Sequence, residues 1–437
     1  MRHCFAFLLA ALSVLAAADV ERGAPLPRKG YFGAATAADS QGVKVTRVVA
    51  GGAAEACGLK NGDVIESVNG KEVRDVPGFV ALIGLVKGGD SLDVRFLRDG
   101  KESNAKAKMT EYPRQVEANL DVVYDQVVSM GKRIRVIVTK PKGDGKFPTL
   151  FLIGGIGGYS VDASFSAMPY GNVLGPIANA GYVTVRIDKP GQGDSEGPAY
   201  KDLAFKVEQD AYLQALRLAK TLPYVDPNRI AIYGHSMGGC FAPLVASAEP
   251  VKAVIVNGTL FKSLTEYMLE NTRRQSELGG APEDQLDQDQ KLLDAVMHFV
   301  FDENETPDQV GRLHPELAAF AKQTFPDGET YSGVGIPFFR ELSHINLPGA
   351  WSKTKSDVLA LYGENDFLSG RDDHERIATY VNKLRPGTAQ FILMPNCDHV
   401  FTKTTSMRDS MDKWGKGGEF NPIIVQTLLD YLKKELG

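Results

Sequence analysis

The sequence predicts an α/β protein with a mainly parallel sheet and a helical cap insertion, preceded by a small, mixed β-rich domain. Three observations carry this expectation. From about residue 112 onward, short β-branched apolar runs alternate with helix-length stretches, the pattern of a sheet covered on both faces. Before that point, the chain holds only short strand-like runs broken by glycine turns. Finally, about a hundred residues separate the strand ending near Asn257 from the one beginning near Val358, far more than a crossover requires.

At 437 residues the chain is long enough for two or three domains. Hydrophobic residues at 43% and charged residues at 24% exclude a disordered, collagen-like or polytopic membrane chain. A net charge of −5 supplies no basic footprint, so nucleic acid is not an expected partner. Four cysteines make no disulfide framework, and none has the paired spacing of a zinc site, so no metal is expected.

Residues 1–18 read as a signal peptide. Arg2 gives a positive start, 5–15 is almost wholly apolar, and Ala16-Ala17-Ala18 fits a small-x-small cleavage site before Asp19. The apolar run is too short to cross a hydrocarbon core of about 30 Å as a helix. The expectation is a periplasmic or secreted chain with no membrane span after cleavage. Cys57, Cys240 and Cys397 then remain. Three is odd, so at least one thiol is free or bridges to another molecule, and buried free thiols are the expectation.

In the first domain, placed at 19–110, the strand runs are 43–49, 63–68 and 92–97, with an apolar helical stretch at 78–86. Turn chemistry is explicit at Lys60-Asn61-Gly62-Asp63, Asn69-Gly70 and Arg98-Asp99-Gly100. Gly30-Tyr31-Phe32-Gly33, together with Ala53-Ala54-Glu55-Ala56-Cys57-Gly58-Leu59-Lys60-Asn61-Gly62-Asp63-Val64-Ile65 and Val68-Asn69-Gly70, resembles a PDZ domain of the bacterial periplasmic-protease arrangement. The resemblance implies capture of a peptide C-terminus. Backbone N–H groups around Tyr31, Phe32 and Gly33 would hold the carboxylate while the peptide adds a strand to an exposed sheet edge. A spacer or packing role is the competing reading.

In the second domain the strands are expected at 134–138, 149–153, 183–187, 230–233, 253–256, 358–362 and 391–394. Helices are expected at 172–180, 203–221, 240–247, 374–384 and 423–436. Two Gly-x-Ser-x-Gly matches occur, and context separates them. Gly193-Asp194-Ser195-Glu196-Gly197 lies in a polar loop followed by Pro198. Gly234-His235-Ser236-Met237-Gly238 directly follows a strand and directly precedes a small-residue helix start, the geometry that exposes a serine oxygen at a sheet's carboxyl end. Ser236 is therefore the candidate nucleophile.

A serine hydroxyl needs a base, and the base needs an orienting acid. His3 leaves with the signal, His235 adjoins the serine, His298, His314 and His344 fall in the insertion, and His374 begins a helix. His399 follows the strand at 391–394, where a loop at the sheet's edge would present a base. Asp366, after the strand at 358–362, is the candidate acid, with Glu364 the second choice; Asp398 directly precedes the histidine in sequence.

With these residues, 111–437 resembles an α/β-hydrolase, whose Ser–Asp–His chain order it shares. Asp188-Lys189-Pro190-Gly191-Gln192-Gly193-Asp194-Ser195 is similar to the family's glycine-rich loop after the fourth strand, which makes Ser195 structural. Gly154-Gly155-Ile156-Gly157-Gly158 is similar to its oxyanion loop, with glycine at 154 where many members carry histidine. The resemblance implies oxyanion donors at the Met237 and Ile156 N–H groups. It also implies a lid at the insertion, 260–346, whose aromatics are expected to form lid core.

The sequence thus points to an exported serine hydrolase cleaving small carboxylic esters, without metal or organic cofactor. A serine peptidase acting on short peptides is the alternative, made attractive by the PDZ-like module. A non-catalytic binding protein that keeps the fold is the third reading.

Overall fold

In the computed structural model, which describes residues 20–162 and 169–437, period-two alternation organises the main sheet. Leu150 and Leu152 face one core, while Phe151 and Ile153 of the same strand face the other. All four are buried, as expected for strands covered on both sides. The expected signal peptide, 1–18, lies outside the described residues.

The sheet has eight strands: β1 (Leu120–Ser129), β2 (Lys132–Pro141), β3 (Phe147–Ile153), β4 (Val183–Ile187), β5 (Val225–His235), β6 (Ala253–Asn257), β7 (Asp357–Gly363) and β8 (Ala389–Met394). Their spatial order is β1-β2-β4-β3-β5-β6-β7-β8. The pairs β1–β2 and β2–β4 are antiparallel; every other neighbouring pair is parallel. The carboxyl ends of β3, β5, β6, β7 and β8 therefore share one edge, where ligands gather in open α/β sheets.

Helices α1 (Pro169–Asn179) and α5 (Ile423–Leu436) cover the Leu150 face. Helices α2 (Phe205–Thr221), α3 (Gly238–Ala248) and α4 (Arg371–Leu384) cover the Phe151 face. All five lie within a few residues of the expected spans.

Between β6 and β7 the chain forms helices Leu264–Gly279, Glu283–Met297, Pro307–Leu313, Ala318–Thr324 and Ile336–Ser343. Two of them start with reciprocal caps, Ser263 with Glu266 and Thr306 with Gln309. Gly280, at φ 86°, ends the first in the left-handed region that glycine enters without a Cβ clash. Phe301, Phe325, Phe338 and Phe339 are buried. Phe338 meets Phe205 of α2 edge-on at 5.3 Å, so these aromatics join the insertion to the main core.

The first domain is a five-stranded antiparallel sheet in the order Ala34–Asp39, Gly42–Val48, Val64–Val68, Ser91–Arg98, Lys101–Lys108, with Lys71–Glu72 paired beside the third. Val43, Val45, Ile65, Val94 and Phe96 form its core under helix Val76–Gly84. Residues 20–29, expected within the unit at 19–110, also run along the main sheet, while Arg28 O accepts from Gly88 N at 3.0 Å and Lys29 pairs with Lys87 of the first domain. Val128 N donates to Glu21 O at 2.8 Å, and Arg135 donates to Leu26 O at 3.0 Å. Arg28, 2% exposed, reaches Asp162 at 2.7 Å and Asp194 at 2.5 Å.

Cys57, Cys240 and Cys397 are buried, unpaired thiols. Among the described residues, no helix is long and apolar enough to cross a membrane.

Candidate active site

Ser236 occupies the left-handed region at φ 56°, a conformation costing a non-glycine residue on the order of 1–3 kcal/mol. Its surroundings enforce it. The Ser236 N–H donates to Asn257 O at 2.8 Å, and Gly239 N donates to Ser236 O at 2.9 Å. A Cβ on Gly238 would lie 2.0 Å from Ile153 O, and one on Gly234 would lie 2.5 Å from Gly238 O. Only glycine lets β5 turn so directly into α3. Ser236 is half-buried amid buried neighbours, and its Oγ has no hydrogen-bond partner among the described residues. By contrast, Ser195 is buried; its Oγ donates to Asp188 O at 2.7 Å and accepts from Arg135 N at 2.8 Å.

Asp366 is fully buried at the end of β7. Its Oδ1 accepts from the N–H groups of Leu368 at 2.8 Å and Ser369 at 3.0 Å. Its Oδ2 accepts from Ser369 Oγ at 2.6 Å and from His399 Nδ1 at 2.8 Å. Burial alone would raise this carboxyl, but His399 and the Ser369 bonds hold it well below the usual carboxylate range. Burial alone would lower His399, yet Asp366 raises it above its ordinary value. Gly258 leaves room for the pair: a Cβ there would lie 2.9 Å from His399 Nδ1 and 3.3 Å from Asp366 Oδ2. With Nδ1 donating to Asp366, the neutral imidazole keeps its lone pair at Nε2.

The other carboxylates considered serve their loops. Glu364 is exposed and accepts from Asn396 N at 2.9 Å. Asp398 accepts from Val400 N at 3.0 Å and Thr402 N at 2.7 Å. Two further buried histidines are neutral. Burial, with His399 nearby, pushes His235 down to about 3, and burial pushes His374 down to about 4. His374 Nε2 accepts from Thr259 N at 3.0 Å.

The loop after β3 runs against the serine: a Cβ on Gly155 would lie 3.0 Å from Ser236 Cβ. Gly155 N donates to Tyr170 Oη at 2.7 Å, and Gly157 N donates to Tyr200 Oη at 2.7 Å. Between them, the Ile156 N–H has no acceptor among the described residues, and neither has the Met237 N–H. Tyr170 and Tyr200 did not stand out in the sequence, because neither belongs to a motif and nothing local places them beside the loop after β3.

In the first domain, Tyr31 pairs with Thr110 and meets Tyr112 edge-on at 5.6 Å. Phe32 is buried against Phe79 at 5.2 Å, and its carbonyl accepts from Ala54 N at 2.7 Å. Gly33 stands at φ 71°, with a would-be Cβ 2.7 Å from Gly52 Cα. Among the described residues, the adjacent strand Ala34–Asp39 has a partner strand on one side only and forms a sheet edge.

One acidic trio, Glu270, Asp372 and Asp373, has ligand atoms close enough for a cation. Lys262 Nζ fills that role, pairing with Glu270 and lying 3.0 Å from Asp372 and 3.4 Å from Asp373.

Comparison with known proteins agrees with this architecture. A PDZ domain family model matches residues 30–109, and a model of the alpha/beta hydrolase family matches 151–407. Esterase FrsA of Klebsiella pneumoniae is 31% identical over 139 residues, covering 31% of this chain and 30% of FrsA. Esterase EstD of Thermotoga maritima is 26% identical over 148 residues, covering 32% and 34%. The match thus spans about a third of the length of these curated relatives. Among solved structures, Est1E of Butyrivibrio proteoclasticus with ferulic acid bound is 17% identical with a TM-score of 0.47, covering 71% of this chain and 98% of Est1E. The hydrolase match alone takes in more than half of the 437 residues. The chain therefore belongs to the alpha/beta hydrolase family, with a PDZ domain ahead of its catalytic fold.

Proposed function

We propose that this protein is an exported serine hydrolase that cleaves carboxylic esters through an acyl-enzyme on Ser236. The observation that carries the proposal is the buried Asp366–His399 pair, bonded at 2.8 Å, at the same sheet edge as an elbow serine whose Oγ is unengaged.

His399 Nε2 takes the Ser236 proton as Oγ attacks the ester carbon, and the carbonyl electrons move to oxygen. The N–H groups of Met237 and Ile156 hold that oxyanion; the Met237 donor also sits at the amino end of α3, where the helix dipole favours negative charge. Collapse expels the alcohol, protonated by His399. Water, deprotonated by the same nitrogen, then attacks the acyl-enzyme and releases the acid. This sequence calls on no metal or organic cofactor. Among the described residues Ser236 Oγ and His399 Nε2 share no hydrogen bond, and a catalytic bond of this kind often forms only when substrate binds.

The esterase names of FrsA and EstD favour esters. The segment at 1–18 supports a periplasmic or secreted location. The PDZ domain supports a second reading, a peptidase fed by chain ends captured at Tyr31, Phe32, Gly33 and the free strand edge. Turnover of short-chain nitrophenyl esters against aminoacyl amides, by wild type and Ser236→Ala, tests both. Ester turnover lost in Ser236→Ala is the expected result. Faster amide turnover selects the peptidase, and activity retained by Ser236→Ala overturns the covalent mechanism.

A further inference from the structure

The peptide unit joining Gly155 to Ile156 is gripped from behind. Its carbonyl oxygen accepts from Lys189 Nζ at 2.6 Å and from Tyr159 Oη at 2.9 Å. A trans amide points its C=O and N–H in opposite directions, so fixing the Gly155 oxygen fixes the Ile156 N–H. The N–H groups on either side are already occupied by Tyr170 and Tyr200.

Lys189 is held in one orientation. It is 1% exposed, its Nζ lies 3.0 Å from Glu208 Oε1, and it sits 5.1 Å and 5.3 Å from the ring centres of Tyr159 and Tyr200. Glu208, on α2, is fully buried and also accepts from Tyr212 Oη at 3.3 Å. Burial lowers Lys189 and raises Glu208, and their mutual contact opposes both shifts. Buried ion pairs are poor stabilisers: apolar replacements of similar volume are often neutral or better. The triad chemistry makes no direct use of this pair. Among the described residues, its one polar contact toward the site is the Gly155 carbonyl.

We propose that Lys189, backed by Glu208, is a positioning residue for the oxyanion site, anchoring the Gly155 carbonyl so that the Ile156 N–H is aimed and polarised toward the developing oxyanion. The inference rests on Ser236 being the nucleophile. A cation on the carbonyl side of an amide draws electrons toward oxygen and strengthens its N–H as a donor. In a dry site the same charge favours the oxyanion directly, without reorganisation during reaction.

The test compares wild type with Lys189→Met/Glu208→Gln, which keeps side-chain length and leaves no lone carboxylate buried. With a nitrophenyl ester, kcat is expected to fall about 10- to 100-fold, the scale of weakening one oxyanion donor, with KM little changed. The inhibition constant of a trifluoromethyl ketone, which forms the tetrahedral adduct, should rise by the factor that kcat/KM loses. A merely structural role would not link these two numbers. Tyr159→Phe removes the second donor without touching a charge, and a smaller loss of the same linked kind is expected.

A folded double variant with wild-type kcat overturns the positioning role while leaving the hydrolase reading intact. Loss of kcat with no matching change in ketone affinity overturns it too. If the double variant does not fold, Lys189→Gln decides: linked losses support the role, and full activity overturns it. A wild-type chain that neither hydrolyses ester nor reacts with the ketone overturns the serine-hydrolase reading and this inference together.

Discussion

His235 Nε2 donates to the backbone carbonyl of His399 at 2.8 Å. The residue preceding Ser236 thus holds the main chain of His399, the proposed base. A carbonyl can only accept, so this nitrogen carries the proton of neutral His235. Its Nδ1 then accepts from Tyr170 Oη at 2.8 Å, and Tyr170 in turn accepts from Gly155 N. One run of bonds therefore ties the loop after β3 to the loop after β8. His235→Leu leaves the buried His399 carbonyl without this donor and the Tyr170 hydroxyl proton without this acceptor, which should cost about 1–3 kcal/mol per group. Urea unfolding measures that loss, and kcat should fall with it as His399 is released.

The acid limb of kcat/KM should reflect His399. Only the neutral imidazole is a base, so activity is lost as pH falls through a value raised above the ordinary 6.5 by Asp366. Asp366 stays ionised throughout, being held well below the usual range. Asp366→Asn should lower kcat by about 10⁴-fold and move the limb to lower pH. A profile flat down to about pH 4.5, below the usual histidine range, would contradict His399 as base.

Gly238→Ala should destroy the site through the backbone. The added Cβ meets Ile153 O at 2.0 Å, and neither main-chain segment can yield without moving β3 or α3. Overpacking of this kind costs about 1–3 kcal/mol or more. Thermal unfolding and ester turnover should both show the loss; a fully active, equally stable Gly238→Ala would refute the elbow geometry.

The segment at 20–29 should be needed by the hydrolase, although its end also pairs with Lys87 and Gly88 of the PDZ domain. Arg28 is bonded to Asp162 and Asp194, and Lys29 N donates to Asp194 at 2.7 Å. Removing a buried partner leaves charge uncompensated, at about 3–5 kcal/mol. Deleting 19–110 should therefore lower the melting temperature of the hydrolase fold well below that of a chain lacking 30–109 with 20–29 rejoined. Equal melting temperatures would count against that role for 20–29.

The sequence made the parallel strands legible because β3 through β8 are apolar on both faces. It hid the strands with weaker patterns. Lys101–Lys108 alternates exposed charged and polar residues with half-buried Ser103, Ala105 and Ala107, too small to mark an apolar face, and Ala34–Asp39 is alanine-rich, with little β-branching. Leu120–Ser129 carries acidic residues at its partly buried positions. Ser236, Asp366 and His399 were readable as polar residues just beyond apolar strands. Lys189 was not, because a lysine in a glycine loop reads as solvated, and its partner Glu208 lies on an otherwise amphipathic helix. Nothing local reveals that the two meet beneath the loop after β3.

Exposure of the folded protein to a fluorophosphonate, followed by peptide mass mapping, tests the central claim most directly. The account predicts one adduct per chain, on Ser236, absent from Ser236→Ala and formed far more slowly by His399→Ala. A folded chain that stays unmodified, or carries its adduct on another residue, would contradict it.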